Sequence, residues 1–76
     1  MYYIIYYRAH DNTGGRRPLY QFDNYMEAKR AFDEIIQHPE NEVFAKYWNT
    51  KRGSLQLIET DKYAHKTIID MESINL

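Results

Sequence analysis

The sequence contains no cysteine, which excludes disulfide staples and thiolate metal sites together. Two prolines and three glycines are all that punctuate its 76 residues, and no linker, internal repeat or low-complexity stretch divides it. No apolar run approaches the ~18 residues that a membrane span needs. The opening Met1-Tyr2-Tyr3-Ile4-Ile5-Tyr6-Tyr7-Arg8 has neither a basic leading segment nor a small-residue cleavage site, so it does not read as a signal peptide. The cytoplasm is the expected location. Charge of one sign is missing too. A net charge of −1 and a pI near 6.3 argue against a protein dominated by phosphate contacts, whose domain pI usually exceeds ~9. They equally exclude an acidic mimic of DNA.

A single domain spanning residues 1–76 is what this length holds. Such a chain buries only about 60% of the surface it exposes when unfolded, and one core of that size rarely supplies more than ~3–5 kcal/mol. Without disulfides or a structural metal, association with further copies is the remaining stabilising device, so a homodimer or larger oligomer is expected. What the chain has in excess is aromatic surface: eight tyrosines, three phenylalanines and one tryptophan make up 16% of it. Tyrosine combines an apolar body with a tip that tolerates water, and such residues are enriched at interfaces.

Along the chain, residues 2–8 form the clearest strand, an unbroken β-branched and aromatic run. Tyr2, Ile4 and Tyr6 share one face and Tyr3, Ile5 and Tyr7 the other; two apolar faces predict a central position. Asp11-Asn12-Thr13-Gly14-Gly15 has turn chemistry and leads to a short strand at 19–22, with Pro18 suited to a sheet edge. Asn24 and Glu27 have capping-box spacing. Behind them Tyr25, Ala28, Phe32, Ile35 and Ile36 fall on one helical stripe, Lys29, Arg30, Asp33 and Glu34 face away, and Pro39 ends the helix. Residues 43–48 and 54–60 read as two further strands joined by Asn49-Thr50-Lys51-Arg52-Gly53, and 66–72 as a strand or a short helix, with strand preferred. The fold class is α+β: a small antiparallel sheet of four or five strands, ββαββ(β), with one helix on one face. Placing 43–48 beside 2–8 gives an antiparallel sheet in which Arg16 and Arg17 at the first hairpin lie at the opposite end from Lys51 and Arg52.

The uncovered sheet face is the strongest functional signal. Tyr3, Tyr7 and Tyr47, or alternately Phe44 and Trp48, are the aromatics available to it, and an apolar patch beyond a few hundred Å² marks an interaction site. Tyr and Trp dominate binding hot spots, so a protein partner is expected; the plain alternative is a dimer interface or half-exposed tyrosines. The candidate binding residues are Tyr3, Tyr7, Arg16, Arg17, Tyr47 and Trp48. Aromatics on a sheet also stack bases, but the basic-Gly-aromatic-Gly-aromatic motif of RNA-recognition sheets is absent and the basic residues are split between two ends. Arg16 and Arg17 after Gly14-Gly15 suit a phosphate or carboxylate, although a solvated loop tip explains them as well. No phosphate-binding loop is present. His10, His38 and His65 lack metal-ligand spacing, and no third group completes a catalytic set with His10-Asp11. No catalytic residue, metal or cofactor is assigned, and the chain reads as a non-enzyme.

The segment Tyr2-Tyr3-Ile4-Ile5-Tyr6-Tyr7, its hairpin, the Phe22-Asp23-Asn24-Tyr25-Met26-Glu27-Ala28 helix start and the hairpin that follows resemble small phage-encoded anti-defence proteins of the anti-CRISPR type. That resemblance implies an inhibitor that occupies a working surface of a host immune protein in the host cytoplasm. A second anti-defence group, the sponges that sequester cyclic nucleotides, implies an oligomer holding a nucleotide ligand between subunits with Arg and aromatic residues. The resemblance transfers no residue's role from either group to a position of this chain.

Overall fold

A computed structural model describes residues 1–10, 15–48 and 52–76. The elements run β1 (Tyr2–Ala9), β2 (Arg17–Phe22), α1 (Tyr25–Gln37), a 3₁₀ turn (Pro39–Asn41), the single helical turn α2 (Val43–Lys46), β3 (Arg52–Thr60) and β4 (Lys66–Asn75). The four strands form one sheet in the order β2-β1-β3-β4, antiparallel throughout. This is the expected α+β architecture with its four-strand option, and residues 66–72 are strand. The turn expected at Asp11-Asn12-Thr13-Gly14 and the connection Asn49-Thr50-Lys51 lie outside the described residues.

One element differs from the sequence expectation. Residues 43–48 are not a strand: Glu42 accepts from the Ala45 and Lys46 amides, and the Tyr47 amide donates to the Val43 carbonyl. The reason lies in spacing. Phe44 and Trp48 are four apart, and both an i,i+4 helical pair and two strand repeats put such residues on one side. With that segment out of the sheet, β3 takes the place beside β1 and runs antiparallel to it, Tyr7 facing Leu55 and Ala9 facing Gly53. The start of β3 therefore meets the end of β1, and the His10 amide donates to the Arg52 carbonyl at 3.0 Å.

The helix docks as its stripe requires. Asn24 caps it, its side-chain oxygen accepting from the Met26 and Glu27 amides at 2.7 and 3.2 Å, which satisfies two of the orphan donors of a helix start. Ala28, Phe32 and Ile35 are buried against Tyr3, Ile5, Tyr7, Leu55, Leu57 and Ile74, while Ile36 is only half-buried. Lys29 does not simply face away: from the flank of α1 it pairs with Asp33 at 3.0 Å and with Asp70 of β4 at 2.5 Å. The Lys29 hydrogen bond holds the Asp70 carboxyl below its ordinary range against the opposing effect of burial.

Each edge strand carries an unmatched residue. In β2 it is Leu19, between the pairs Tyr6–Pro18 and Ile5–Tyr20; in β4 it is Ile69, between Ile58–Ile68 and Leu57–Asp70. Such bulges increase local twist and blunt an edge against unwanted pairing. The β3–β4 turn is closed by Asp61, whose carboxylate accepts from the Tyr63 and His65 amides, with Ala64 at φ 65°.

Phe32 is 1% exposed at the centre of the helix–sheet contact. Phe32→Ala is expected to cost about 3–5 kcal/mol, enough to abolish or nearly abolish cooperative unfolding in so small a core. A melting temperature unchanged by the substitution would show that α1 is not docked in this way.

Candidate functional site

The two sheet faces divide the tyrosines of β1. Tyr3 and Tyr7, at 9% and 1% exposure, lie on the face under α1. They are core residues, which corrects the expectation that they remain available on the uncovered face. That face instead carries Ile4, Tyr6 and Ile58, with half-buried Tyr2 beside them. It is not bare. The Arg16 guanidinium lies 5.2 Å from the centre of the Tyr6 ring and the Lys66 ammonium 5.6 Å from it, and Lys66 also donates to the Tyr6 hydroxyl. Long cationic stems cover apolar surface while their heads stay in water. Among the large hydrophobic residues described, Ile68 and Met71 of β4 are also exposed on this face, at 50% and 55%.

The functional geometry gathers at the end of the sheet where β1 finishes and β3 begins. The Tyr7 ring stacks on Phe44 of α2 with 4.0 Å between centres and 4° between planes. Trp48 leans on the same ring at 6.3 Å. Arg17, paired with Tyr7 across the β1–β2 ladder, lays its guanidinium 4.9 Å from the Trp48 ring. Such a cation–π contact contributes about 0.5–1 kcal/mol when exposed and more when desolvated. Tyr47, next in the chain, is 79% exposed.

Of the residues singled out from sequence, Arg17 and Trp48 are in contact, Tyr7 supports them from below and Tyr47 flanks them. Arg16 turns to the opposite sheet face, and Tyr3 lies away under the start of α1, edge-on to Tyr25 at 5.8 Å. The reversed direction of β3 also overturns the separation of basic residues expected from sequence. Exposed Arg8, Arg16, Arg17, Lys46 and Arg52 all lie at this one end, and none of them forms an ion pair among the described residues. Arg8 reaches this end through the β1–β2 hairpin, whereas Lys46 and Arg52 join it only because 43–48 is helical. The four-residue spacing of Phe44 and Trp48 fits a strand as well as a helix, so no local signal placed those two there.

Histidines and carboxylates do not converge here. Among the described residues no group of three or more His, Asp or Glu could hold a metal ion. What this end presents is the Arg17 guanidinium over the half-buried Trp48 ring, with the exposed Tyr47 next in the chain; a guanidinium fork is the donor geometry that matches carboxylate and phosphate groups. Comparison of the chain with protein-family models, with curated proteins and with solved structures finds no match.

Packing under the site is close. A Cβ at Gly53 would overlap the Tyr7 hydroxyl and meet the Arg8 carbonyl at 2.6 Å, and the Tyr7 hydroxyl is buried without a hydrogen-bond partner among the described residues. Gly53→Ala is therefore expected to destabilise by about 1–3 kcal/mol through overpacking. Tyr7→Phe, which removes a group that is desolvated and unsatisfied, is expected to leave stability unchanged or raise it. Urea denaturation midpoints check both; a large loss on Tyr7→Phe would mean that the phenol is bonded after all.

Proposed function

We propose that the protein is a non-enzymatic binding module that grips an acidic surface of another protein with the basic, aromatic end of its sheet. The observation that carries this reading is the Arg17 guanidinium over the Trp48 ring, with the exposed Tyr47 next in the chain. Trp, Tyr and Arg are the residue types that dominate hot spots. Arg8, Arg16, Lys46 and Arg52, free of acidic partners among the described residues, supply a rim that steers an oppositely charged surface into contact. The resemblance to phage-encoded anti-defence proteins makes the partner a host immune protein and the contact an inhibitory one. The pieces act by occupation, and no bond need be made or broken.

One observation favours a second reading at the same place. Gathering the arginines at one end, next to an indole and an exposed phenol, also suits a nucleotide, its base on the aromatic surface and its phosphates on the guanidinium groups. The overall charge of −1 favours the protein partner over a nucleic-acid polymer, whose binding rests on many phosphate contacts.

Affinity capture from cells of the source organism, followed by titration of the captured protein against variants, separates the two. Trp48→Ala and Tyr47→Ala are expected to weaken a protein partner by at least ~2 kcal/mol each, about thirtyfold. Arg8→Ala and Arg52→Ala should mainly slow association and flatten its salt dependence. A thermal-shift screen that stabilises the protein with cyclic or linear nucleotides, abolished by Arg17→Ala with Tyr47→Ala silent, would overturn the protein-partner reading.

A further inference from the structure

A separate cleft opens between the edge strand β2 and the C-terminal half of α1, closed at one end by the 3₁₀ turn and Glu42. Its volume of about 320 Å³ falls at the small end of the roughly 300–1,000 Å³ range of ligand sites. Phe22, Ala31 and Ile35 form its apolar wall, continuous with the core. Tyr20 stands beside Phe22 with 6.4 Å between ring centres and 42° between planes. The polar groups around this wall are Glu34, His38, Asn41 and Glu42.

Two features of those polar groups point to a cation. Glu42 is held across the cleft by the Tyr20 hydroxyl, which donates to its two carboxylate oxygens at 3.1 and 3.3 Å. A carboxylate accepting from a single phenol has acceptor capacity to spare. Burial, followed by the charge of Glu42 and its hydrogen bond, pushes the Tyr20 phenol above its ordinary value, so the phenol remains a donor. Moreover, neither Glu34 nor Glu42 has a cationic partner among the described residues. The neighbouring hollow on the outer side of α1 differs, because there Asp33 is already paired with Lys29.

We propose that this cleft binds a small organic cation, a free alkylammonium or alkylguanidinium. Its aliphatic stem packs on Phe22, Ala31 and Ile35. Its head group meets the Glu34 and Glu42 carboxylates, with aromatic faces close enough for cation–π attraction. The apolar wall selects for a stem, which bare metal or ammonium ions lack, and the two carboxylates that line the cleft disfavour neutral and anionic analogues. The site is independent of the arginine–tryptophan end and of whatever binds there.

The test is titration of isotopically labelled protein with hexylammonium chloride, agmatine and neutral 1-hexanol, followed by amide chemical shifts. Both cations are expected to give saturable shifts centred on Tyr20, Ala31, Ile35 and Asn41, with hexanol about tenfold weaker or more, because charge-assisted hydrogen bonds are lost. The double substitution Glu34→Gln, Glu42→Gln, in which the residue-42 amide oxygen can still accept from Tyr20, should remove that preference at an unchanged melting temperature. Equal shifts from hexanol and hexylammonium on the unaltered protein would overturn the proposal and leave only an apolar groove. So would the absence of saturable shifts at tens of millimolar, on the order of the weakest specific binding. Response to N-acetyl-lysine methylamide alone, with the free amines silent, would also overturn it, since the cleft would then receive a protein side chain.

Discussion

Tyr7 is enclosed on several sides at once. Phe44 stacks flat on its ring at 4.0 Å, Trp48 leans on it at 6.3 Å, Leu55 faces it across the ladder, and Gly53 leaves open the space its phenol fills. These contacts come from two stretches of chain, residues 44–48 and the start of β3. The ring thereby ties the single turn of α2 to the sheet and fixes where the chain enters β3. The cost is a buried hydroxyl with no hydrogen-bond partner among the described residues, a penalty of about 1–3 kcal/mol that the surrounding packing outweighs. Because β3 begins at that point, Arg52 arrives beside the end of β1, and Arg8, Arg16, Arg17, Lys46 and Arg52 come to share one end of the molecule with Trp48 and Tyr47.

Charge is distributed unevenly as a result. At the flank of α1 the carboxylates of Asp33 and Asp70 are paired through Lys29, and Asp61 is occupied by backbone amides in the β3–β4 turn. The His65 amide, then that of Tyr63, keeps the Asp61 carboxyl below its usual value. The cations at the Trp48 end and the carboxylates of the β2–α1 cleft have no ion-pair partners among the described residues. A chain whose net charge is only −1 thus carries an electropositive end and an electronegative cleft. Opposite charges kept apart in this way are available to ligands, whereas those joined by Lys29 serve the fold.

Much of the fold was legible in the sequence, since its main elements carry strong local signals. The β-branched and aromatic run of β1, the Asn24 cap, the Ala28–Phe32–Ile35 stripe and the break at Pro39 each agree with the tertiary structure. The segment 43–48 was not legible. Its Val, Phe, Tyr and Trp favour strand, and the spacing of Phe44 and Trp48 satisfies both periods; the decision is made by Tyr7, a residue far away in sequence. That one segment controls the direction of β3, so the same ambiguity concealed the arrival of Lys46 and Arg52 beside Arg8 and Arg17. Arg17 and Trp48 were legible as residue types suited to binding. Tyr3 and Tyr7 were misplaced because both faces of β1 are apolar, and nothing local says which one the helix covers.

The arrangement around Tyr7 can be read directly from a nuclear Overhauser spectrum of the free protein. The expected pattern is contact of the Tyr7 ring protons with Phe44 and with the Gly53 α-protons, sequential amide–amide contacts through 43–47, and contact of the Trp48 indole with the Arg17 side chain. Cross-strand α-proton contacts joining 43–48 to β1 would contradict it: that segment would then be a strand, β3 would run the other way, and Arg52 would leave the end of the sheet that holds Arg17 and Trp48.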